Sequence, residues 1–182
     1  MFEAAKQVME TLENAGFAAY AVGGFVRDTL LGLSPKDLDI ATSANPEEIQ
    51  GLFPGAKFLH QARFPVMVIG EFEIATFRRD VEALSRQETV VTMTRDVNED
   101  AARRDLTINS LYMDVQGQVI DPTGLGLADL EAGLIRFVGD PLQRLEEDST
   151  RALRAIRFAS RFGFRLEDGT QQALRDMGLT LE

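Results

Sequence analysis

Gly23-Gly24-Phe25-Val26-Arg27-Asp28-Thr29-Leu30-Leu31-Gly32, followed by Asp37-Leu38-Asp39, places a glycine-hinged turn and a helix start just ahead of two carboxylates one residue apart. In an extended segment successive side chains point to opposite faces, so Asp37 and Asp39 share one face while Leu38 and Ile40 enter the core. Two acidic groups on one face invite a cation. Mg²⁺ suits them, because it takes hard oxygen ligands, usually one or two carboxylates plus substrate phosphates, and keeps water in the remaining positions. Taken singly, a glycine pair marks a tight turn more often than a phosphate site, and acids at a strand edge are usually just solvated. The order of the parts points instead to a nucleotide held beside metal ions.

Around this stretch the chain alternates helix and strand. Residues 3–15 have helical spacing (Ala4, Val8, Met9, Leu12) and end at Gly16; Phe17 to Val22 reads as a strand, Phe25 to Leu31 as a helix and Leu38 to Thr42 as the strand bearing the acidic pair. Asn45-Pro46-Glu47-Glu48 is a helix start, with a cap, a proline in the first turn and acids beside it. Strands are predicted at Lys57–His60, Pro65–Ile69 and Phe72–Phe77, and a mobile connection over 79–97 with one strand at Val90–Met93. Asn98-Glu99-Asp100 opens a helix predicted to run through Arg103-Arg104-Asp105 to Leu111, with Glu99 and Asp100 serving its dipole. A hairpin turns at Gln116-Gly117, a short helix covers Leu127–Ala132 and a strand Leu134–Val138. Beyond Gly139-Asp140-Pro141 the pattern is helical throughout, at about 141–146, 147–162 and 168–177. The chain thus divides into an α+β unit, 1–138, and the start of an all-α unit, 139–182, which stops where further helices are expected; Leu181-Glu182 fits a vector-derived scar on a truncated chain.

Composition narrows the chemistry. There are 182 residues, 45% of them hydrophobic and 26% charged, enough for a sizeable core. The absence of cysteine removes disulfides, thiolate nucleophiles and cysteine-bound zinc, and the single histidine, His60, excludes a multi-histidine metal centre. His60 has no nucleophile motif beside it and reads as structural or exposed. Carboxylates and arginines must carry the chemistry. No apolar run reaches membrane-spanning length and the start lacks signal-peptide features, so a cytoplasmic protein is expected. The net charge of −10 opposes bulk electrostatic binding of a polyanion, although arginines recur at 151, 154, 157, 161 and 165. If nucleic acid is a partner, much of its binding surface is expected outside this chain.

Three separated segments carry a resemblance: Gly23–Asp28 with Asp37-Leu38-Asp39, then Arg103-Arg104-Asp105-Leu106-Thr107-Ile108-Asn109-Ser110-Leu111, then Glu147-Asp148-Ser149-Thr150-Arg151-Ala152-Leu153-Arg154-Ala155-Ile156-Arg157-Phe158. In this order and over nearly the whole chain they resemble bacterial class II tRNA nucleotidyltransferases and their poly(A) polymerase relatives. The resemblance implies a polymerase-β-type nucleotidyltransferase head, a mixed sheet flanked by helices, followed by a truncated all-α neck. It implies that Gly24 and Arg27 contact a triphosphate and that Asp37 and Asp39 hold divalent metals, Mg²⁺, which activate an RNA 3′ hydroxyl for in-line attack on the α-phosphate. Glu71 or Glu73 is a candidate third carboxylate. Arg104 would meet phosphate and Asp105 the ribose 2′ hydroxyl, oriented by Asn109 four residues on.

The third segment accounts for base choice without a template. Cytosine and adenine each offer an amino donor beside a ring-nitrogen acceptor, whereas uracil and guanine offer a carbonyl beside a ring N–H. Acceptor-only Asp148 beside donor-only Arg151, three apart on a predicted helix, matches the first pair and opposes the second. The resemblance also brings Arg154 and Arg157 near the nucleotide, while Arg103, Arg161 and Arg165 read as surface ion-pair residues. Two departures stand out: Ser149-Thr150 where relatives commonly have Pro-Leu, and a shorter, different stretch at Val81–Thr89. The expected partners are CTP, ATP and a tRNA 3′ end; the product is left open among CC-, A- and CCA-addition, poly(A) synthesis, and nucleotide or RNA binding without turnover.

Overall fold

A computed structural model describes residues 1–59, 65–81 and 90–178, apart from the side chains of Val81 and Val90. His60, the divergent stretch after Val81 and the Leu181-Glu182 terminus lie outside the described residues. In chain order the elements are α1 (Phe2–Asn14), β1 (Ala19–Val22), α2 (Gly24–Leu30), β2 (Asp39–Thr42), α3 (Pro46–Leu52), β3 (Lys57–Phe58), β4 (Val66–Ile69), β5 (Phe72–Thr76), β6 (Arg78–Val81), β7 (Val90–Met93) and α4 (Val97–Ala102). A 3-10 turn (Thr107–Asn109) leads to β8 (Tyr112–Met113), β9 (Val119–Ile120), α5 (Gly126–Ala132), β10 (Leu134–Ile135), α6 (Pro141–Glu147), α7 (Thr150–Phe162), β11 (Arg165–Leu166) and α8 (Asp168–Asp176).

The large sheet has the order β3-β4-β5-β2-β1-β8-β9 and is mixed: β2 and β5 run parallel, and the other neighbours antiparallel. This is the α+β architecture expected, a mixed sheet flanked by helices. Strand alternation assigns the faces. Ala19, Ala21, Ile40 and Ile74 join Ala5, Met9 and Leu12 of α1 and Ile49 of α3 in the main core. On the opposite face Val22, Ala41, Phe77, Ala101 and Tyr112 form a smaller cluster, with Tyr20 stacked on Phe77 and edge-on to Tyr112. α3 begins where its capping box predicts, with Asn45 and Glu48 exchanging backbone-to-side-chain bonds of 2.8 Å. Buried Leu145, Ala152, Phe158 and Leu174 of the C-terminal helices belong to the same main core, and β10 pairs in parallel with β11.

Two predicted helices are interrupted. The helix expected to continue to Leu111 ends at Ala102, because Leu106 is extended (φ −122°, ψ 143°), fully buried and bridged to Phe137. Backbone bonds from Thr107 to Arg136 and from Val138 to Asp105 complete this pairing. Local helix preference yields to a tertiary strand-like contact. The helix expected over 147–162 is likewise two helices, since Asp148 is extended (φ −155°) and its Oδ1 accepts from both the backbone N–H (2.9 Å) and the hydroxyl (2.7 Å) of Thr150. A short acidic side chain bonded to the backbone two residues on competes with helix continuation. The connection predicted over 79–97 contains, besides β7, a strand not foreseen: β6 pairs with β7 as a hairpin, Arg78 opposite Met93.

Candidate active site

Strand register builds the site. Asp39 faces Glu73 across the parallel β2–β5 pair and Val22 across β1–β2, and Val22 faces Tyr112 across β1–β8. Glu73, Asp39, Val22 and Tyr112 therefore form one row across four strands, on the face opposite the main core, at about 4.8 Å per strand. Glu73, not Glu71, is thus the carboxylate beside Asp39. Asp37 lies just before β2 and is exposed, as is Asp39, while Leu38 between them is buried, so the predicted alternation holds. Although the Asp39 side chain reaches the surface, the protein around it displaces part of its hydration, and this first, then Asp37 and Glu73, raise its pKa above the ordinary carboxylate value, with Arg104 opposing. Among the described residues no hydrogen bond or ion pair engages the carboxylates of Asp37, Asp39 or Glu73, and no three His, Cys, Asp or Glu side chains close into a ready-made metal cluster. Two or three separated carboxylates with no counter-charge among the described residues are groups that could hold a hard divalent cation.

The other end of the row holds the arginines. Tyr112 is fully buried, and its hydroxyl donates to Asp100 Oδ2 (2.7 Å) and accepts from Arg104 Nε (2.8 Å). Asp100, only 1% exposed, also takes Arg104 Nη2 at 2.9 Å, Arg103 Nη2 at 3.0 Å and the backbone N–H of Arg78 at 3.0 Å. Burial opposes the charge on Arg104, yet Tyr112 and Asp100 together raise its pKa above the ordinary value. Burial, then Arg103, push Arg78 down to about 10. Asp100, read from the sequence as a helix-dipole acid, is in fact the buried anchor of this cluster. Arg103 and Arg104 stand three and four residues on from it, a spacing legible in the sequence, but its burial against Tyr112 depends on the tertiary fold, which no local signal reports.

Between the two ends lies a cleft of about 470 Å³. Asp39, Glu73, Arg104, Asp105, Asp148, Arg151 and Arg154 line it, joined by Arg78, Asp80, Arg103 and Glu147, which sequence reasoning had not assigned to the site. Asp105 follows the end of α4 and its Oδ1 accepts from its neighbour Leu106 (2.8 Å) and from Asn109 Nδ2 (3.4 Å). The contact expected with Asn109 exists, but through the 3-10 turn rather than a shared helix face. Asp105 Oδ2 is buried and meets Arg154 Nη2 at 2.8 Å as an ion pair lacking hydrogen-bond geometry. Asp148 and Arg151 share the cleft and are joined through the backbone, the Arg151 N–H donating to the Asp148 carbonyl (3.1 Å), but their side chains do not meet: Arg151 Nη1 is held by Glu147 Oε2 (2.9 Å) and the Arg144 carbonyl (3.3 Å). The Thr150 hydroxyl bond, opposed by partial burial and helped by Arg151 and Arg154, lowers the pKa of Asp148.

Gly23 adopts φ +69°, ψ −121°, a conformation that only glycine takes readily, and so turns β1 into α2; a Cβ there would stand 3.9 Å from Arg104 Nη1. The glycine turn and Arg104 are therefore neighbours. Of the expected site residues, Gly24, Arg27, Asp37 and Arg157 are not in the cleft wall. Arg27 is buried and bonded to Asp28 and Asn109, and Arg157 is exposed with its guanidinium over the Phe158 ring. Arg161, read from the sequence as a helix-surface ion-pair residue, instead reaches buried Asp28 of α2 at 3.2 Å.

The chain is 45% identical over 179 residues to the CCA-adding enzyme of Lactiplantibacillus plantarum and 43% identical over 185 residues to that of Anoxybacillus flavithermus. These alignments cover 96% and 100% of this chain but 44% and 46% of those relatives, so the chain spans less than half the length of the curated relatives it matches. Its fold is similar to the crystal structure of the Bacillus stearothermophilus CCA-adding enzyme in complex with CTP (TM-score 0.84, 38% identity, 95% of this chain and 42% of that one). It is also similar to the Thermotoga maritima CCA-adding enzyme complexed with tRNA (TM-score 0.74, 31% identity, 96% of this chain and 41% of that one). Residues 19–136 match the family described as the poly A polymerase head domain. Since that span opens on the first residue of β1 and takes in every strand of the large sheet, the chain belongs to the poly A polymerase head-domain family.

Proposed function

We propose that this chain is the catalytic head, 1–138, and the start of the helical neck, 139–182, of a cytoplasmic, template-independent nucleotidyltransferase. It adds CMP, AMP or both, from CTP and ATP, to the 3′ end of tRNA. The observation that carries this reading is the Asp39–Glu73 pair, unpartnered in the described structure, across one cleft from arginines anchored on Asp100. Relatives named CCA-adding enzymes, with solved complexes containing CTP, ATP and tRNA, favour it over poly(A) synthesis.

Asp37 and Asp39, with Glu73 beside them, are the groups that would hold divalent ions, Mg²⁺ in this reading. Bound there, such ions supply charge neutralisation of a triphosphate and a lowered pKa for an attacking hydroxyl. The chain's own residues do the remaining work. Arg104, fixed by Tyr112 and Asp100 next to the Gly23-Gly24 turn, presents a preorganised cation to the phosphates, with Gly24 leaving the backbone open to them. Asp105 Oδ2, buried and accepting no hydrogen bond, gains one from a ribose 2′ hydroxyl when Arg154 moves off it. Arg154 and Arg157 add positive charge along α7. Both bonds from Thr150 fall on Asp148 Oδ1, which leaves Oδ2 for the amino group of cytosine or adenine, while Arg151 offers N–H to the ring nitrogen.

Titration of the four ribonucleoside triphosphates in Mg²⁺ tests the base reading. CTP and ATP should bind more tightly than UTP and GTP, and Asp148→Ala or Arg151→Ala should erase about 10- to 100-fold of that preference, as expected for a hydrogen bond to a charged group. Equal affinity of the unaltered chain for UTP would defeat it. With a chain of the relatives' full length, tRNA lacking zero, two or three terminal residues would separate CC-, A- and CCA-addition from untemplated poly(A) synthesis.

A further inference from the structure

Asp148 and Arg151 are opposite charges three residues apart, a spacing at which an acid and a base commonly pair with each other. Their side chains do not pair. Arg151 Nη1 is taken by Glu147 Oε2 at 2.9 Å and by the Arg144 carbonyl at 3.3 Å, while Asp148 is extended (φ −155°) with its Oδ1 turned to Thr150. Two donors of Thr150 converge on that oxygen, the backbone N–H at 2.9 Å and the hydroxyl at 2.7 Å. They differ in origin. Every residue except proline supplies the N–H, whereas the hydroxyl belongs to the side chain at position 150. Its direction follows from its place in the chain. A threonine inside a helix often turns its hydroxyl back to a carbonyl three or four residues earlier. Thr150 is the first residue of α7, with no turn of that helix behind it, and Ser149 before it makes no side-chain cap, so the hydroxyl goes to Asp148.

The consequence falls on base choice. We infer that Thr150 is a positioning residue for nucleobase selection: its hydroxyl holds the Asp148 carboxylate off Arg151, so that an acceptor and a donor stand side by side and unspent before a base arrives. This rests on the roles given above to Asp148 and Arg151. With the hydroxyl gone, the nearest strong donor for Asp148 is Arg151 itself, and a pair that satisfies itself offers less to the amino group and ring nitrogen of cytosine or adenine. The same hydroxyl bond is the first cause that lowers the pKa of Asp148. An ionised carboxylate only accepts, whereas a protonated one donates and would suit the carbonyl of uracil equally well. Asp148 and Arg151 line the cleft and Thr150 does not, so Thr150 acts through Asp148 rather than on the nucleotide.

Affinities for CTP, UTP and CMP, measured in Mg²⁺ by calorimetry on this chain and on Thr150→Val and Thr150→Ser, test the inference. The CTP/UTP ratio reports base choice, and the CTP/CMP ratio reports the outer phosphates. Thr150→Val keeps the branched shape and the N–H but deletes the hydroxyl; it should lose about fivefold of the CTP/UTP ratio, the scale of one hydrogen bond, with the CTP/CMP ratio within about twofold of the parent. Thr150→Ser, which keeps the hydroxyl, should hold the CTP/UTP ratio within about twofold. An unchanged CTP/UTP ratio in Thr150→Val, a CTP/CMP ratio that falls with it, or an equal loss in Thr150→Ser overturns the inference. A cycle with Asp148→Ala separates positioning from direct contact: adding Thr150→Val to that variant should move the CTP/UTP ratio by less than about twofold, and a further loss as large as in the parent background overturns the positioning role. Should Thr150→Val fail to fold by circular dichroism, Thr150→Ala takes its place and the same outcomes decide. A parent chain that binds CTP and UTP equally overturns the base-reading pair and this inference with it, whereas a parent preference that survives in Thr150→Val overturns only the inference.

Discussion

Asp39→Asn should reduce nucleotide transfer by about 10³-fold or more, equivalent to about 4 kcal/mol of transition-state stabilisation, in a protein no less stable than its parent. The two halves of this result have one cause. Asp39 sits beside Asp37 and directly opposite Glu73, and partial loss of hydration together with those two acids disfavours its charged form. A group arranged that way costs the resting fold something and repays it only when a cation arrives. Asparagine keeps the shape and removes the repulsion, so the melting temperature should stay level or rise while the Mg²⁺-dependent gain in CTP affinity disappears. Transfer of label from α-labelled CTP to tRNA, calorimetry with and without Mg²⁺, and a thermal melt are the three measurements. Retained turnover, or a sharp fall in melting temperature, contradicts the assignment. Asp37→Asn should lose transfer in the same way.

Asp100→Asn should be the opposite case, a change that strikes stability first. Its carboxylate is 2% exposed and answers two arginines, a phenol and a backbone N–H. Removing one side of a buried charge network costs about 3–5 kcal/mol, because the arginines are left without a counter-charge, which in a chain of this size lowers the melting temperature by about 10 °C. Tyr112→Phe, which deletes only the hydroxyl, should cost about 1–2 kcal/mol. The network also sets an acid limit. Burial would raise the pKa of Asp100, but Arg104 and Arg103, then the Arg78 N–H and the Tyr112 hydroxyl, outweigh it and hold the pKa below the ordinary 3.8. Its contribution is therefore complete above 3.8 and is lost as pH falls through the lower folded value. Denaturant unfolding of parent and variant between pH 2 and 7 should show the curves converging at the acid end. Parallel curves, or a variant within about 0.5 kcal/mol of the parent at pH 7, would remove Asp100 from this role.

Both residues are acids followed by apolar or small neighbours, and the sequence treats them unequally. For Asp39 the local pattern suffices: a period of two in Asp37-Leu38-Asp39-Ile40 puts the carboxylates on one side of a strand whatever surrounds it. For Asp100 nothing local distinguishes a dipole-serving acid from a buried anchor. Arg103 and Arg104 lie three and four residues on, within local reach, but the Tyr112 hydroxyl and the Arg78 N–H that bury and complete the network come from strands distant in the chain. Asp148 falls between these cases. Its Asp-Ser-Thr run competes with a helix through side-chain to backbone bonds, so the break before α7 was encoded locally, in the very residues that depart from the Pro-Leu of relatives. Leu106 shows the reverse, a helix-compatible segment pulled straight by its bridge to Phe137.

The amino-acid sequence by itself determined the chemistry available to this protein: no thiol, one histidine, an acidic pair on a strand after a glycine turn, and the order of three motifs. Those features depend on neighbours within a few residues, where geometry follows from the backbone. Only the tertiary structure decided which acid stands beside Asp39, that Asp100 is buried against Tyr112, and that Arg27 faces the core rather than the cleft. The first depends on which strand pairs with which and in what register, since a shift of one residue would send every side chain of that strand to the other face; the other two depend on how α4 and α2 pack against elements distant in the chain.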